Sequence, residues 1–294
     1  MNDHFMLWVS QLIFGLVQGL TEVFPISSSA HTAIGQALWE AFSGQSTVTF
    51  STSVFLHLGT SLVIVFVCQR DLFLLCRSAT HTVLHHPLRW KGGPTKEHPL
   101  GQQTPFYMSL GVLITGVIGL VLKRAAVDVF SRPHWAAVFL PISGLCLLTA
   151  SWHIRSRSKA IRGIADLEWW HYVVIGAAQG LAVIPGLSRF GLTLTAGLLC
   201  DLAWYQALRL SFLLSLPTVL AGAGLELSYA YRVPTSETVL PTILGVASAA
   251  LGAWMAIQVI RREDLHAQRA LAHFGAYCLA AGPFYFLFLH YLGP

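Results

Sequence analysis

The chain has one acidic residue between Asp3 and Glu40, and it lies inside an apolar stretch: Glu22. A carboxylate in such surroundings is costly unless it is paired or hydrated. Glu22 is therefore a candidate metal ligand or general base, beside the plainer role of a hydrogen-bonded buried acid. Gln18 lies four residues earlier, so on a helix the two side chains share one face. On its own, Gln18 serves equally well as an interhelical hydrogen bond.

Pro25 is followed by Ser27, Ser28, Ser29 and His31. A proline-then-serine turn that opens a half-helix offers backbone N–H groups and hydroxyls to an anion. His31 lies three residues after Ser28 and can share its face. The serine could then be an activated nucleophile, or the histidine itself could act. A helix N-cap cluster with a core histidine is the plainer account. Arg189 is the only Lys or Arg between Arg162 and Arg209, in the turn Pro185-Gly186-Leu187-Ser188-Arg189. A guanidinium so deep in an apolar stretch needs an anionic partner, either Glu22 or a phosphate that suits its fork. Ser188 and Thr193 add hydroxyls beside it. One carboxylate, one histidine, several hydroxyls and one arginine suit phosphoryl chemistry, or phosphate binding on a lipid. Hydride transfer fits poorly, because no dinucleotide fingerprint follows a strand.

These residues need elements that can hold them inside a bilayer. Of 294 residues, 11% are charged and 54% hydrophobic, and mean hydropathy is +0.61. A soluble domain carries about 25% charged residues. A soluble enzyme, a disordered chain, a coiled coil and a collagen-like chain are set aside in favour of an all-α integral membrane protein. Six stretches approach the ~20 apolar residues of a membrane span: Ser51–Cys68, Pro105–Leu122, His134–Trp152, Tyr205–Leu225, Thr238–Ile260 and Leu271–Tyr291. Two more, Leu7–Leu38 and Trp169–Cys200, are too long for one span and polar in the middle. Each is expected to be a re-entrant hairpin of two half-helices, buried in protein or lining a wet cavity. Overlaid, they read QGLTEVFPISSSAHT and QGLAVIPGLSRFGLT with a one-residue gap. One copy per half points to two repeats in a single membrane domain, about 1–152 and about 169–294, with a site at their interface.

Residues 1–69 hold no Lys or Arg, whereas the segments 69–104, 153–168 and 261–270 are basic. Placing these three in the cytoplasm puts both termini outside and makes the repeats inverted. Lys123, Arg124 and Arg132 then fall in a short outer loop, against the trend. The net charge of +5 reflects such loops, not nucleic-acid binding. His81, His85, His86 and His98 in the 69–104 segment read as a solvated loop, because no acidic or cysteine partners repeat at ligand spacing. Cys68, Cys76, Cys146, Cys200 and Cys278 show no CxxC spacing and read as small core residues.

At its motifs the sequence resembles the undecaprenyl-pyrophosphate phosphatase family of the bacitracin-resistance type. The residues that carry the resemblance are Gln18-Gly19-Leu20-Thr21-Glu22, Pro25-Ile26-Ser27-Ser28-Ser29-Ala30-His31, and Pro185-Gly186-Leu187-Ser188-Arg189 with Thr193. His57-Leu58-Gly59-Thr60 and Ser211-Phe212-Leu213-Leu214-Ser215-Leu216-Pro217 extend it over nearly the whole chain. The resemblance implies hydrolysis of a polyprenyl pyrophosphate, undecaprenyl pyrophosphate, to undecaprenyl phosphate. That reaction recycles the carrier lipid for cell-wall synthesis in the bacterial inner membrane. It also implies a divalent cation, Mg²⁺ or Ca²⁺, and a site open to the periplasm, and it allows a homodimer. Glu22, Ser28, His31 and Arg189 take catalytic positions in it. Gln18, Ser27, Ser188 and Thr193 take substrate-binding ones, and Glu22 and Gln18 hold the metal. The attacking group is Ser28, His31 or a water activated by Glu22. Two positions depart from the family pattern: Gln18 stands where Glu is frequent, and Phe190 where a second serine is usual. The rival readings are a carrier or flippase of a lipid phosphate, and a catalytically weak relative that only binds such lipids.

Overall fold

A backbone in hydrocarbon has no water to bond, so an apolar run there satisfies its polar groups within a helix. A computed structural model of the chain describes residues 3–44, 50–85, 100, 103–125, 132–156, 162–229, 236–262 and 266–292. Among the described residues there are ten α-helices, one 3-10 turn (Ile164–Asp166) and no strand beyond an isolated bridge between Arg162 and Leu202. The helices are α1 (Asp3–Val23), α2 (Ser28–Ser43), α3 (Phe50–His85), α4 (Thr104–Ala125), α5 (Pro133–Ser156), α6 (Trp169–Leu181), α7 (Arg189–Leu199), α8 (Trp204–Tyr229), α9 (Ser236–Arg262) and α10 (Ala267–Leu292).

Seven of these are long and apolar enough to cross a membrane: α1, α3, α4, α5, α8, α9 and α10. All six expected spans are among them. The seventh is α1, the first arm of the first broken stretch, which runs unbroken for 21 residues. Large apolar side chains such as Leu62, Phe66, Leu113, Val121, Leu145, Leu251 and Phe284 are exposed along these helices. An apolar exterior of this extent is what a lipid solvent requires. The chain is an all-α integral membrane protein.

Two boundaries differ from those expected. α3 continues past Cys68 to His85, so Arg70 and Arg77 stand on helix, as do His81 and His85. Polar residues do not end a helix that contains no proline or capping glycine. His86 and His98 lie outside the described residues, as do Arg89, Lys91 and Lys96. Lys123 and Arg124 occupy the last turn of α4, where a cation is favoured by the helix dipole. That local account covers two of the three basic residues that run against the loop-charge pattern.

Packing is close wherever small residues face each other, as expected when van der Waals contact replaces hydrophobic drive. α5 lies against α10 through Gly144 and Gly275. A Cβ on Gly144 would stand 2.6 Å from the Gly275 carbonyl oxygen. α1 lies against α9, where a Cβ on Gly19 would stand 2.1 Å from the Ala249 carbonyl oxygen. α4 packs on α6, α3 on α8 and α9, α2 on α5 and α10, and α7 on α5, α6 and α8. α8 is the most buried of the seven long helices. Its Leu208, Leu210, Phe212, Leu213, Leu214 and Leu216 join the main core. Cys68, Cys200 and Cys278 are buried; Cys146 is half-buried and Cys76 exposed.

Near one end of α8, Arg209 grips Asp71 of α3 with a fork. Nε donates to Oδ2 at 2.6 Å, and a second guanidinium N–H donates to Oδ1. The Asp71 side chain is 12% exposed, so removing one partner strands a charge. Asp71→Ala should lower stability by about 3 kcal/mol, whereas Arg155→Ala, at an exposed position, should stay within about 0.5 kcal/mol. Thermal unfolding in detergent compares the two, and equal melting points would contradict the pairing's structural role.

Candidate active site

Each of the two broken stretches turns at a proline. α1 stops at Val23 because Pro25 has no N–H and disfavours helical backbone at Phe24. The chain reverses through Ile26, whose N–H bonds the Phe24 carbonyl at 2.7 Å. Ser27 then caps α2, its hydroxyl accepting the Ala30 N–H at 3.4 Å. In the second stretch, Ile184-Pro185-Gly186-Leu187 form a tight turn closed by Leu187 N–H to Ile184 carbonyl at 3.1 Å. Gly186 has φ +94°, the conformation a type II turn demands at its third residue. Ser188 caps α7 in the same manner, its hydroxyl accepting the Gly191 N–H at 3.0 Å. Ser28 and Arg189 are thus the first residues of two short helices, each following a serine cap.

The two turns touch. A Cβ on Gly191 would stand 3.2 Å from the Pro25 carbonyl oxygen, and the Gly186 N–H donates to the Ser29 hydroxyl at 3.3 Å. Ser143 of α5 fastens the second turn from behind. Its hydroxyl donates to the Gly186 carbonyl at 3.1 Å and accepts the Ser188 N–H at 2.9 Å.

Glu22 collects the polar groups between the turns. Gln18 Nε2 donates to Oε2 at 3.0 Å, and the Ser28 hydroxyl donates to the same oxygen at 2.6 Å. The Arg189 guanidinium stands 3.6 Å from Oε1. His57 Nε2, from α3, stands 3.6 Å from Oε2. The Glu22 side chain is 9% exposed and Arg189 28%, so the carboxylate is enclosed while the guanidinium is partly exposed. The Ser28 hydroxyl and the Arg189 guanidinium, from the first residues of two helices, therefore converge on one anionic group. The same field would hold a phosphate.

Of the residues picked from sequence, Gln18, Glu22, Ser28 and Arg189 form this cluster. Ser27 and Ser188 are its caps. Thr193 is buried and donates to the Arg189 and Phe190 carbonyls at 2.9 and 3.1 Å, one turn below. His31 faces elsewhere: Nδ1 meets the Ser27 carbonyl at 2.8 Å and Nε2 the Tyr277 hydroxyl at 2.7 Å. Phe190 is buried against Phe212, ring centroids 4.9 Å apart and nearly parallel, so its ring fills core. Gln179, matched to Gln18 in the overlay, bonds α8 instead, through the Leu214 carbonyl at 3.2 Å and the Thr218 hydroxyl at 3.0 Å. His57 is the site residue that the sequence had not singled out for chemistry. The signal available was a histidine in an apolar run, within a motif that already carried the resemblance. Among the described residues, no group of three or more His, Cys, Asp or Glu side chains is placed to hold a metal ion unaided. Glu22 and the Gln18 amide carbonyl are oxygen donors of the kind Mg²⁺ and Ca²⁺ take.

Fold and site together define a polytopic membrane protein with a carboxylate–guanidinium centre between two capped helix starts. The family described as bacitracin resistance protein BacA matches residues 11–284, and the chain belongs to it. Relatives named undecaprenyl-diphosphatase include one from Pelobacter propionicus, 34% identical over 92% of this chain and 93% of its own length. Another, from Geotalea daltonii, is 34% identical over 86% of this chain and 90% of its own. A third, from Chlorobium luteolum, is 30% identical over 94% and 95%.

Gly44 also has positive φ, +66°, but among the described residues nothing lies within 4 Å of a Cβ there, whereas a Cβ on Gly186 would meet the Ala136 carbonyl oxygen at 2.2 Å. Gly44→Ala should cost about 1 kcal/mol, from backbone strain alone. Gly186→Ala should cost at least twice that, read as melting temperature in detergent. Equal losses would contradict the wedged placement of the second turn.

Proposed function

We propose that this protein is a membrane phosphatase that hydrolyses undecaprenyl pyrophosphate to undecaprenyl phosphate and inorganic phosphate. The reaction returns the carrier lipid to cell-wall synthesis and gives bacitracin resistance. The observation that carries this reading is the meeting of Ser28 and Arg189, each opening a short helix, on the one enclosed carboxylate. The names of the relatives supply the substrate.

The terminal phosphate sits between the turns, held by Arg189 and by the free N–H groups at the starts of α2 and α7. Glu22 accepts the Ser28 proton as the Ser28 oxygen attacks the terminal phosphorus. The bond from that phosphorus to the bridging oxygen breaks, and the lipid monophosphate leaves with the electron pair. Glu22 passes that proton to the departing lipid monophosphate; water then attacks the phosphoserine as Glu22 takes its proton, and Glu22 returns that proton to the Ser28 oxygen as the bond to phosphorus breaks. Positioning and electrostatics carry most of the rate in such transfers. Glu22 and Gln18 would hold the divalent cation, which supplies charge neutralisation on the phosphates. Ser27 and Ser188 hold the turns in shape. Thr193, one turn behind Arg189, steadies the start of α7.

The two halves are read as inverted repeats in the inner membrane, with the site open to the periplasm. Support for the repeat comes from the pairings, and support for the orientation from the basic segments. If α1–α5 correspond to α6–α10, then α1 on α9 answers α6 on α4, α2 on α10 answers α7 on α5, and α3 with α8 and α5 with α10 are self-paired. At 16, 13 and 11 residues, α2, α6 and α7 are short of the ~20 needed to cross. That supports a re-entrant hairpin at α6–α7 and a re-entrant second arm after α1, which is itself long enough to cross. The same pairing is transporter architecture, so the assay must be one in which no compartments exist.

The test is phosphate release from undecaprenyl or farnesyl pyrophosphate by the detergent-purified protein, with Mg²⁺ or Ca²⁺ and with EDTA. Release should require the cation and should fall at least about 10²-fold in Arg189→Ala, the loss typical of removing one transition-state donor. A folded sample that binds the lipid but releases nothing would overturn the reading in favour of a carrier.

A further inference from the structure

His31 lies at the start of α2 yet points away from Glu22, and what it points at is specific. Tyr277 and Tyr285 are both on α10. The Tyr277 hydroxyl stands 2.7 Å from His31 Nε2 and 3.2 Å from the Tyr285 hydroxyl. The Tyr277 ring lies parallel to the imidazole, centroids 5.7 Å apart and 16° between planes. Tyr285 meets the imidazole edge-on at 5.9 Å. On the other side, Nδ1 is 2.8 Å from the Ser27 carbonyl oxygen.

A carbonyl only accepts, so Nδ1 carries the proton. In neutral imidazole that leaves a lone pair on Nε2, and Tyr277 must donate to it. Tyr285 then donates to the Tyr277 oxygen. One order of protons satisfies the whole chain, from Tyr285 through Tyr277 and His31 to Ser27. The far end of this chain is strained: Ser27 has φ +70°. Positive φ outside glycine costs roughly 1–3 kcal/mol and persists only where the surroundings hold it. His31 holds that carbonyl twice, with its ring and with its backbone N–H at 3.3 Å. Ser27 is the cap whose geometry presents Ser28 to Glu22.

We propose that Tyr277, backed by Tyr285, is a positioning residue for the reaction: by donating to Nε2 it holds the His31 ring against the Ser27 carbonyl, and through it the strained Ser27 turn that aims the Ser28 hydroxyl. His31 in this arrangement is a clamp, since its one lone pair is already taken by a phenol. The proposal rests on the phosphatase reading, but part of its test does not.

The experiment is Tyr277→Phe in the full-length, detergent-purified protein, which keeps the ring and removes the O–H. Two quantities are measured. The first is kcat and KM for pyrophosphate-lipid hydrolysis. The second is the rate at which diethyl pyrocarbonate modifies His31 at one fixed pH, read by mass spectrometry on the His31 peptide. Loss of one neutral hydrogen bond predicts kcat down about tenfold with KM within about twofold. It also predicts faster modification of His31, because the Nε2 lone pair is released. Tyr285→Phe, which leaves the Tyr277–His31 bond in place, should show the same two changes to a smaller degree. It carries the test if Tyr277→Phe fails to fold. An unchanged His31 modification rate overturns the clamp whatever the activity. Faster modification with unchanged kcat overturns the positioning role. A wild-type protein that releases no phosphate overturns the phosphatase reading, while the modification rates still decide the clamp.

Discussion

A carboxylate shut into the end of an apolar helix has to be compensated, and the site is built from what compensates Glu22. Water is excluded from most of its surface, so the charge draws donors from three directions: Gln18 along its own helix, Ser28 across the first turn, and Arg189 from the second turn. His57 of α3 completes the ring. The Glu22–Arg189 ion pair, 3.6 Å apart, links the two halves of the chain. Two helix starts brought together by one anion are also prepared for another.

The turns themselves are held from behind by the α5–α10 pair. Ser143 of α5 bonds both sides of the Gly186 turn, and the α10 tyrosines hold the Ser27 turn through His31. These two helices touch along Gly144 and Gly275, where each glycine faces the other's carbonyl. A rigid, closely packed pair carries the strained loops, so the reacting groups sit on turns whose positions are fixed by a helical scaffold.

Much of this could be read from the residues. The spans followed from apolar runs, and a lone Glu and a lone Arg in hydrocarbon foretold each other. The serine caps followed from their place after the prolines. What could not be read depended on packing between distant elements. His57 reaches Glu22 because α3 lies against α1, which no local spacing encodes. The reach of α3 to His85 was hidden because residues beyond Cys68 turn polar without a helix-stopping signal. His31 and Ser28 do share a helix turn, as spacing suggested, but the Ser27 carbonyl and Tyr277 capture the imidazole first. Phe190, which stands where the family pattern has a second serine, is turned into the core by stacking on Phe212.

The claim that a charged Glu22 organises the chemistry is tested most directly by Glu22→Gln, which keeps size and shape and removes the charge. The protein should retain its helical content and elute as a single species. Release of phosphate from undecaprenyl pyrophosphate should fall at least about 10²-fold, the loss expected when a proton acceptor is removed. A folded Glu22→Gln protein with turnover near that of the wild type would contradict the account.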